Sequence, residues 1–316
     1  MLESASNELY LTDLSEKDKP WDKHRAIADT VQNLYRLAQL DKYADRISTC
    51  AKILEFDLRT LDEGKFTLKL QSTKFCRVRH CPVCQWRRSM KWQAKMFQAL
   101  PAITEAYPKH KWVFLTLTVR NCDLSELRAT VKAMNDGFRR LTQLKTFPSI
   151  GWIRSVEVTR NSTTGQAHPH FHCLLLVPST YFSGRGYIKQ EDWRSLWQQS
   201  MRLDYLPMVN IKTVKVKAAQ ENTEDTGIGK AICETLKYSV KEDDLIADHN
   251  WLAELTTQLH KTRAISIGGV LKDYLREEKE DDDLINIQEE SEIEETEEAI
   301  KLCFGWREVA KRYKKI

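Results

Sequence analysis

Hydrophobic positions along this chain change period several times, and each change marks an element. Ile27, Val31, Leu34 and Ala38 recur at spacings of three and four, with Leu37 beside them, so part of 1–45 is expected to be helical. The residues Ile53-Leu54-Glu55-Phe56-Asp57-Leu58 and Phe66-Thr67-Leu68-Lys69-Leu70 flank Asp62-Glu63-Gly64, two strand-like runs around a turn signal, hence a hairpin. Residues 112–119 (WVFLTLTV) are rich in β-branched and aromatic side chains, as a central strand is. Leu124, Leu127, Val131, Met134, Phe138 and Leu141 return to helical spacing, with Asp123 or Ser125 available as a cap. A strand over 152–159, a turn-rich loop over 161–165 and a strand over 167–177 follow. A helix is expected from about 189 to 203, with Trp193 and Trp197 packed in the core. Another strand is expected over 208–217 and another helix over 229–241.

The hairpin has a chemical consequence. A turn centred on Glu63 places position 50 opposite position 76, which returns Cys50 to the side of Cys76. Cys81 and Cys84 follow in a Cys-Pro-Val-Cys knuckle, so four thiolates can converge on one tetrahedral zinc with no coordination position left open, a structural site. His80 could replace one sulfur, and four metal-free core cysteines are the plainer alternative. Arg77, Arg79, Arg87, Arg88, Lys91 and Lys95 lie around and after the knuckle with Trp86 and Trp92 interleaved. Such a mixture suits phosphate contacts and base stacking, or equally a solvated helix whose tryptophans face the core.

The strand over 167–177 begins Ala167-His168-Pro169-His170-Phe171-His172, and period two puts the three histidines on one face. If it pairs with the strand over 152–159 across a loop centred near 164, Glu157 stands opposite His170 or His172. That completes a His/His/Glu metal site with positions left for water or substrate. Within 229–241, Glu234 and Tyr238 are four apart, and Lys237 and Lys241 supply positive charge beside a tyrosine that is otherwise a poor nucleophile.

Charge sharpens the choice of partner. The net charge of +4 conceals thirteen Asp and Glu against the single Lys279 in 277–298; without that net −12 the rest of the chain carries +16. A body so basic attracts a polyanion, nucleic acid foremost. The 41% hydrophobic content builds ample core. No apolar run is long enough to span a bilayer and the first residues lack a secretory pattern, so a cytoplasmic protein without membrane partners is expected, with its eight cysteines reduced.

Phe114-Leu115-Thr116-Leu117-Thr118, then His168-Pro169-His170-Phe171-His172, then Glu234 with Lys237-Tyr238 resemble, in order and separation, the three motifs of the single-tyrosine replication initiators of rolling-circle plasmids, which are HUH endonucleases. The likeness takes in the cysteines, Trp193, Trp197 and 263–269, covering roughly 45–275. It implies an α+β fold: a central antiparallel sheet of about five strands flanked by helices, RRM-like, with an N-terminal zinc-binding hairpin module. The domains expected are a helical extension over 1–45, the zinc and DNA-contacting module over 46–100, the nicking domain over 101–275, an acidic linker over 276–299 and a basic amphipathic tail over 300–316, in which Phe304, Trp306, Val309 and Tyr313 allow a helix.

The resemblance further implies that His170, His172 and Glu157, with His168 as an extra neighbour, hold Mg²⁺ or Mn²⁺. Tyr238 would cut one origin strand through a 5′-phosphotyrosine, and Glu234 would activate water to end the round. Arg77, Arg79, Arg87, Arg88, Lys91, Lys237 and Lys241 would contact DNA. The implied partners are duplex and single-stranded plasmid origin DNA, the host helicase and polymerase, and a second copy of the chain if it dimerises. An HUH transposase and a zinc-stabilised, non-catalytic DNA-binding regulator are the rival readings.

Overall fold

The computed structural model describes residues 8–60, 66–183, 186–214, 227–237, 239–275, 284–285, 287 and 300–316. In chain order its helices are α1 (Leu11–Leu14), α2 (Lys19–Leu37), α3 (Asp41–Ser48), α4 (Pro82–Ala106), α5 (Leu127–Thr142), α6 (Gln190–Met201), α7 (Gly227–Thr235), α8 (Glu242–Leu245) and α9 (His249–Leu259). Its strands are β1 (Ile53–Thr60), β2 (Phe66–Thr73), β3 (His110–Thr118), β4 (Gly151–Arg160), β5 (Ala167–Pro178), β6 (Val209–Thr213), β7 (Ile265–Gly269), β8 (Ile300–Arg307) and β9 (Arg312–Lys315). Two compact units result. One gathers the residues up to Lys91, Leu245–Ala253 and those from 280 onward; the other holds Trp92–Asp244 and Glu254–Lys279.

In the first unit a four-stranded sheet in the order β2-β1-β8-β9 packs with the N-terminal helices. The buried stripe of α2 is Trp21, His24, Arg25, Ala28, Val31 and Tyr35, displaced from the stripe expected through Ile27 and Leu34; Leu37 is 66% exposed. The C-terminal segment is not a helix. Leu302, Phe304 and Trp306 alternate into the core, and β8 takes the open edge of β1, with Ile53 opposite Gly305 and Phe56 opposite Leu302. The β1–β2 hairpin has Leu58 opposite Leu68 and Thr60 opposite Phe66, with a register shift between Glu55 and Phe56. Its expected turn at 62–64 lies outside the described residues, as do most of the acidic tract and Tyr238.

In the second unit the sheet order is β6-β3-β5-β4-β7, five strands among the described residues, every pair antiparallel. Strand β5 lies at the centre, which explains why Cys173–Val177 are all apolar and buried. On one face Trp112, Ile153, Leu174, Leu176 and Ile267 meet Met96, Leu100 and Ile103 of α4 and Ile228 and Ile232 of α7. The other face is covered by α5 and α6: Phe138 packs edge-on against Phe171 at 6.0 Å, and the fully buried Trp193 and Trp197 are core residues, as expected. The helix expected over 229–241 stops at Thr235. Past the end of β7 the open edge of β4 recruits the backbone instead: Val158 N–H donates to Ser239 O at 2.8 Å, Val240 bridges Val158, and Arg160 N–H donates to Asp244 at 3.1 Å.

Candidate active site and metal centres

Period two decides which side chains meet. His170 and His172 share a face with Leu174 and Leu176, so the alternation that buries the leucines in the core brings both imidazoles to the same side of the sheet. Glu157 pairs directly with His170, and Ser155 with His172, the register expected for a loop centred near 164. That loop is closed by Asn161, whose side-chain oxygen accepts from the N–H groups of Thr163 and Thr164 at 3.0 and 2.9 Å.

The three side chains converge on one point. His170 Nε2 lies 2.9 Å and His172 Nε2 2.7 Å from Glu157 Oε2, and all three groups are buried. The rings are held from behind. His168 O accepts from His170 Nδ1 at 3.2 Å, Thr116 Oγ1 meets His172 Nδ1 at 3.3 Å, and Phe114 stacks on His172 at 5.5 Å. Because a carbonyl can only accept, His170 Nδ1 carries a proton and its Nε2 is the atom turned to the carboxylate. Two acceptors so placed need a proton or a metal ion between them. Burial raises the Glu157 pKa, but the bonds from His170 and His172 and the charges of His170 and Lys237 outweigh it and hold the carboxyl well below its ordinary range.

Lys237 joins this group: its Nζ lies 3.0 Å from Glu157 Oε2 and 2.6 Å from Glu234 Oε1, while His172 Nε2 is 3.9 Å from Glu234. Burial would lower the Lys237 pKa, and the hydrogen bond to Glu234 and charge of Glu157 reverse that into a net rise. Glu157, His170 and His172 can therefore hold a metal ion, with Glu234 and Lys237 at the rim. His168 is not in that set. Its Nδ1 is 2.8 Å from Asn121 Oδ1, and its pKa is lowered by burial and by His170. Tyr238 lies outside the described residues, but its neighbours do not: Lys237 reaches Glu157, and Ser239 O accepts from the N–H of Val158, the residue after Glu157.

The four cysteines converge as expected. Cys50 Sγ is 3.7 Å from those of Cys84 and Cys81, and Cys76 Sγ is 3.6 Å from that of Cys84. All four are buried, and His80, buried beside them, is not part of the set. Backbone N–H groups of Cys76 and Val78 point at Cys50 Sγ and Cys76 Sγ at 3.4 and 3.5 Å. Hydrogen bonds from Cys50, Cys76 and Cys81 push the Cys84 thiol well down, while hydrogen bonding with Cys76 pushes Cys50 well up and burial pushes Cys81 well up, so the cluster by itself favours a single thiolate.

Sequence reasoning passed over the side chains that hold the cysteine loops. Arg25, fully buried, donates to Ile47 O and Cys50 O at 2.9 and 2.8 Å and pairs with Asp29 at 2.6 Å; Arg46 donates to Cys76 O at 2.6 Å. A charged residue four before Asp29 inside an apolar stripe was the available signal.

The basic residues singled out near the knuckle divide. Arg77 is exposed, and Arg79, Arg88 and Lys91 are partly buried. Arg88 donates to the carbonyls of Val78 and Arg77 at 3.4 and 3.1 Å. Arg87 is buried, lies over Trp21 and Trp86, and donates to Leu284 O and Ile285 O at 2.9 Å each. Trp86 packs edge-on against Trp21 at 4.8 Å, a core role. Lys241 is exposed.

Residues 67–314 match the model of a family described as replication protein. The chain belongs to that replication protein family. Among similar Rep proteins, one of Streptococcus pneumoniae is 32% identical over 307 residues, 94% of this chain and 92% of its own length. One of Bacillus amyloliquefaciens is 38% identical over 86% of this chain and 84% of its own, and one of Lactiplantibacillus plantarum 35% identical over 90% of each. No solved structure matches. Membership agrees with the resemblance to plasmid replication initiators, and the family match spans both units. Among the described residues no helix is long and apolar enough to cross a membrane.

Proposed function

We propose that this Rep protein initiates plasmid replication by nicking one strand of the origin, with Tyr238 as nucleophile. The observation that carries the reading is the convergence of Glu157, His170 and His172 on one point beside Lys237 and Glu234. The 2.7 and 2.9 Å separations are close to the edge of an octahedron with bonds of about 2.1 Å, roughly 3 Å, as Mg²⁺ or Mn²⁺ requires. The chemistry that such an ion supplies when bound there is polarisation of the scissile phosphate.

The residues of the chain do the rest. Lys237, held by Glu157 and Glu234, sets positive charge next to position 238, favouring an ionised phenol. The Tyr238 oxygen forms a bond to phosphorus as the bond to the 3′ oxygen breaks. That oxygen takes a proton and leaves as a 3′-OH, and the 5′ end stays on the tyrosine. Glu234, its side chain 47% exposed at the rim, takes a proton from the water that cuts the regenerated origin at the end of the round. His168 acts as a positioning residue, since its carbonyl orients His170.

For the cysteines the ion favoured is zinc. A tetrahedron of thiolates with bonds of about 2.3 Å has edges of roughly 3.8 Å, near the 3.6 and 3.7 Å separations. Arg77, Arg79, Arg88, Lys91, Lys237 and Lys241 are proposed to face origin DNA, whereas the donors of Arg87 are engaged inside the fold. A host helicase and polymerase are the partners such an initiator needs, acting where DNA is, in the cytoplasm. The test is nicking of a supercoiled plasmid carrying the origin: Tyr238→Phe should bind the origin normally and leave it uncut. Undiminished nicking would overturn the assignment.

A further inference from the structure

A second concentration of positive charge lies on the other face of the five-stranded sheet. Arg154 is three residues from Glu157 on β4, so it points to the opposite side; across the ladder it faces Cys173 on β5 and Ser266 on β7. There α5 leaves the β4–β7 edge partly uncovered, and a cleft of about 710 Å³ opens. Arg139, Arg154, Arg263 and Lys272 line it with the rings of Phe138 and Trp152, and among the described residues no carboxylate lines it.

Arg154 is the unusual member. It is 6% exposed, its guanidinium 4.0 Å from the centroid of Phe171 and 4.8 Å from that of Phe138. One nitrogen donates to Ser266 Oγ at 3.2 Å, and Nε and Nη1 have no hydrogen-bond partner among the described residues. Burial lowers its pKa to about 10, which still leaves it charged at neutral pH. A buried cation with donors unmet is costly unless an anion offsets it, and arginine is the residue suited to planar, multiply bonded phosphate. Trp152 lies flat on Gly268, where an added Cβ would stand 2.2 Å from the ring, so glycine is what lets the indole form a wall of the cleft.

We propose that this cleft binds the phosphate of a nucleotide, held by Arg154, Arg263 and Lys272, with Phe138 and Trp152 as the apolar wall beside the sugar and base. The ligand is a free nucleotide or one link of a single strand; the phosphate chemistry is common to both. The site needs neither a metal ion nor Tyr238, so it stands apart from the nicking reading.

Calorimetric titration of the full chain at physiological salt, without added divalent ion, tests it with inorganic triphosphate, dATP, a short thymidine oligonucleotide without origin sequence and a polyglutamate peptide. One saturable site for a phosphate probe is expected, weakened roughly tenfold or more in Lys272→Ala and Arg263→Ala. Binding of dATP and triphosphate assigns a free nucleotide; binding of the oligonucleotide alone assigns a strand. Arg154→Met should melt no lower than the parent without ligand, because it removes a buried unpaired charge, and should lose the stabilisation that the phosphate probe confers. Equal affinity of parent and both alanine variants for every probe, no binding of any phosphate probe, or equal binding of polyglutamate would overturn the proposal.

Discussion

The four cysteines and the Glu157 group each gather ligand atoms within a few ångströms, but their surroundings differ. Cys50, Cys76, Cys81 and Cys84 are sealed on every side, with Arg25 and Arg46 holding the carbonyls of Cys50 and Cys76. The histidines and Glu157 are buried too, yet Glu234 and Lys237 beside them keep side-chain exposures of 47% and 30%. Ligand number explains the contrast. Four thiolates would satisfy a tetrahedral ion and leave nothing for a substrate, which suits a cluster that holds the chain together. Two imidazoles and one carboxylate leave positions vacant, so that set is suited to chemistry.

The largest effect should come from breaking the closed set. Cys81→Ser is expected to release the metal and unfold the first unit, since metal binding at such sites is folding free energy of about 10 kcal/mol or more. Metal content and circular-dichroism melts would show it; a variant that kept its melting temperature after losing the ion would mean that the cluster is not what holds this unit.

Breaking the open set should separate activity from stability. His172→Ala is expected to slow origin nicking by a hundredfold or more, the loss of several kcal/mol of charge stabilisation, while unfolding free energy changes by less than about 2 kcal/mol. Rate and melt measured on the same preparation decide between this and a purely structural role.

The smallest effect is a slope. Burial, then the charges of Arg79 and Arg88, hold the His80 pKa well below its ordinary value, so between the folded value and about 6.5 the unfolded chain binds the extra proton. Stability from this group is therefore present above pH 6.5 and lost as pH falls below it. His80→Gln should flatten that part of the stability curve, measured by denaturant unfolding from pH 7 downward. An unchanged slope would place the acid sensitivity in the thiolates alone.

Both clusters were legible because each rests on a hairpin, where a midpoint sets the pairing. The pairing of Leu58 with Leu68 carries Cys50 towards Cys76, and the register shift at Glu55 and Phe56 does not spoil the meeting; a loop near 164 sets Glu157 opposite His170. What escaped notice depends on partners far along the chain. Leu302, Phe304 and Trp306 alternate as a strand does, but the edge they cover belongs to β1, and Phe304, Val309 and Tyr313 suit a helix nearly as well. The end of α7 at Thr235 likewise follows from the vacant edge of β4, which local helix propensity cannot foresee. Arg25 and Arg154, charged residues at core positions, are explained by carbonyls and aromatic rings brought in by other elements.

The proposed function depends on a covalent bond between Tyr238 and DNA. Incubating the protein and Mg²⁺ or Mn²⁺ with a single-stranded origin oligonucleotide, then mapping the adduct by peptide mass spectrometry, tests it most directly. A metal-dependent 5′-phosphate adduct on Tyr238, absent from His172→Ala, is expected; an adduct on another residue, or cleavage that leaves no adduct on the protein, would overturn the proposed nucleophile.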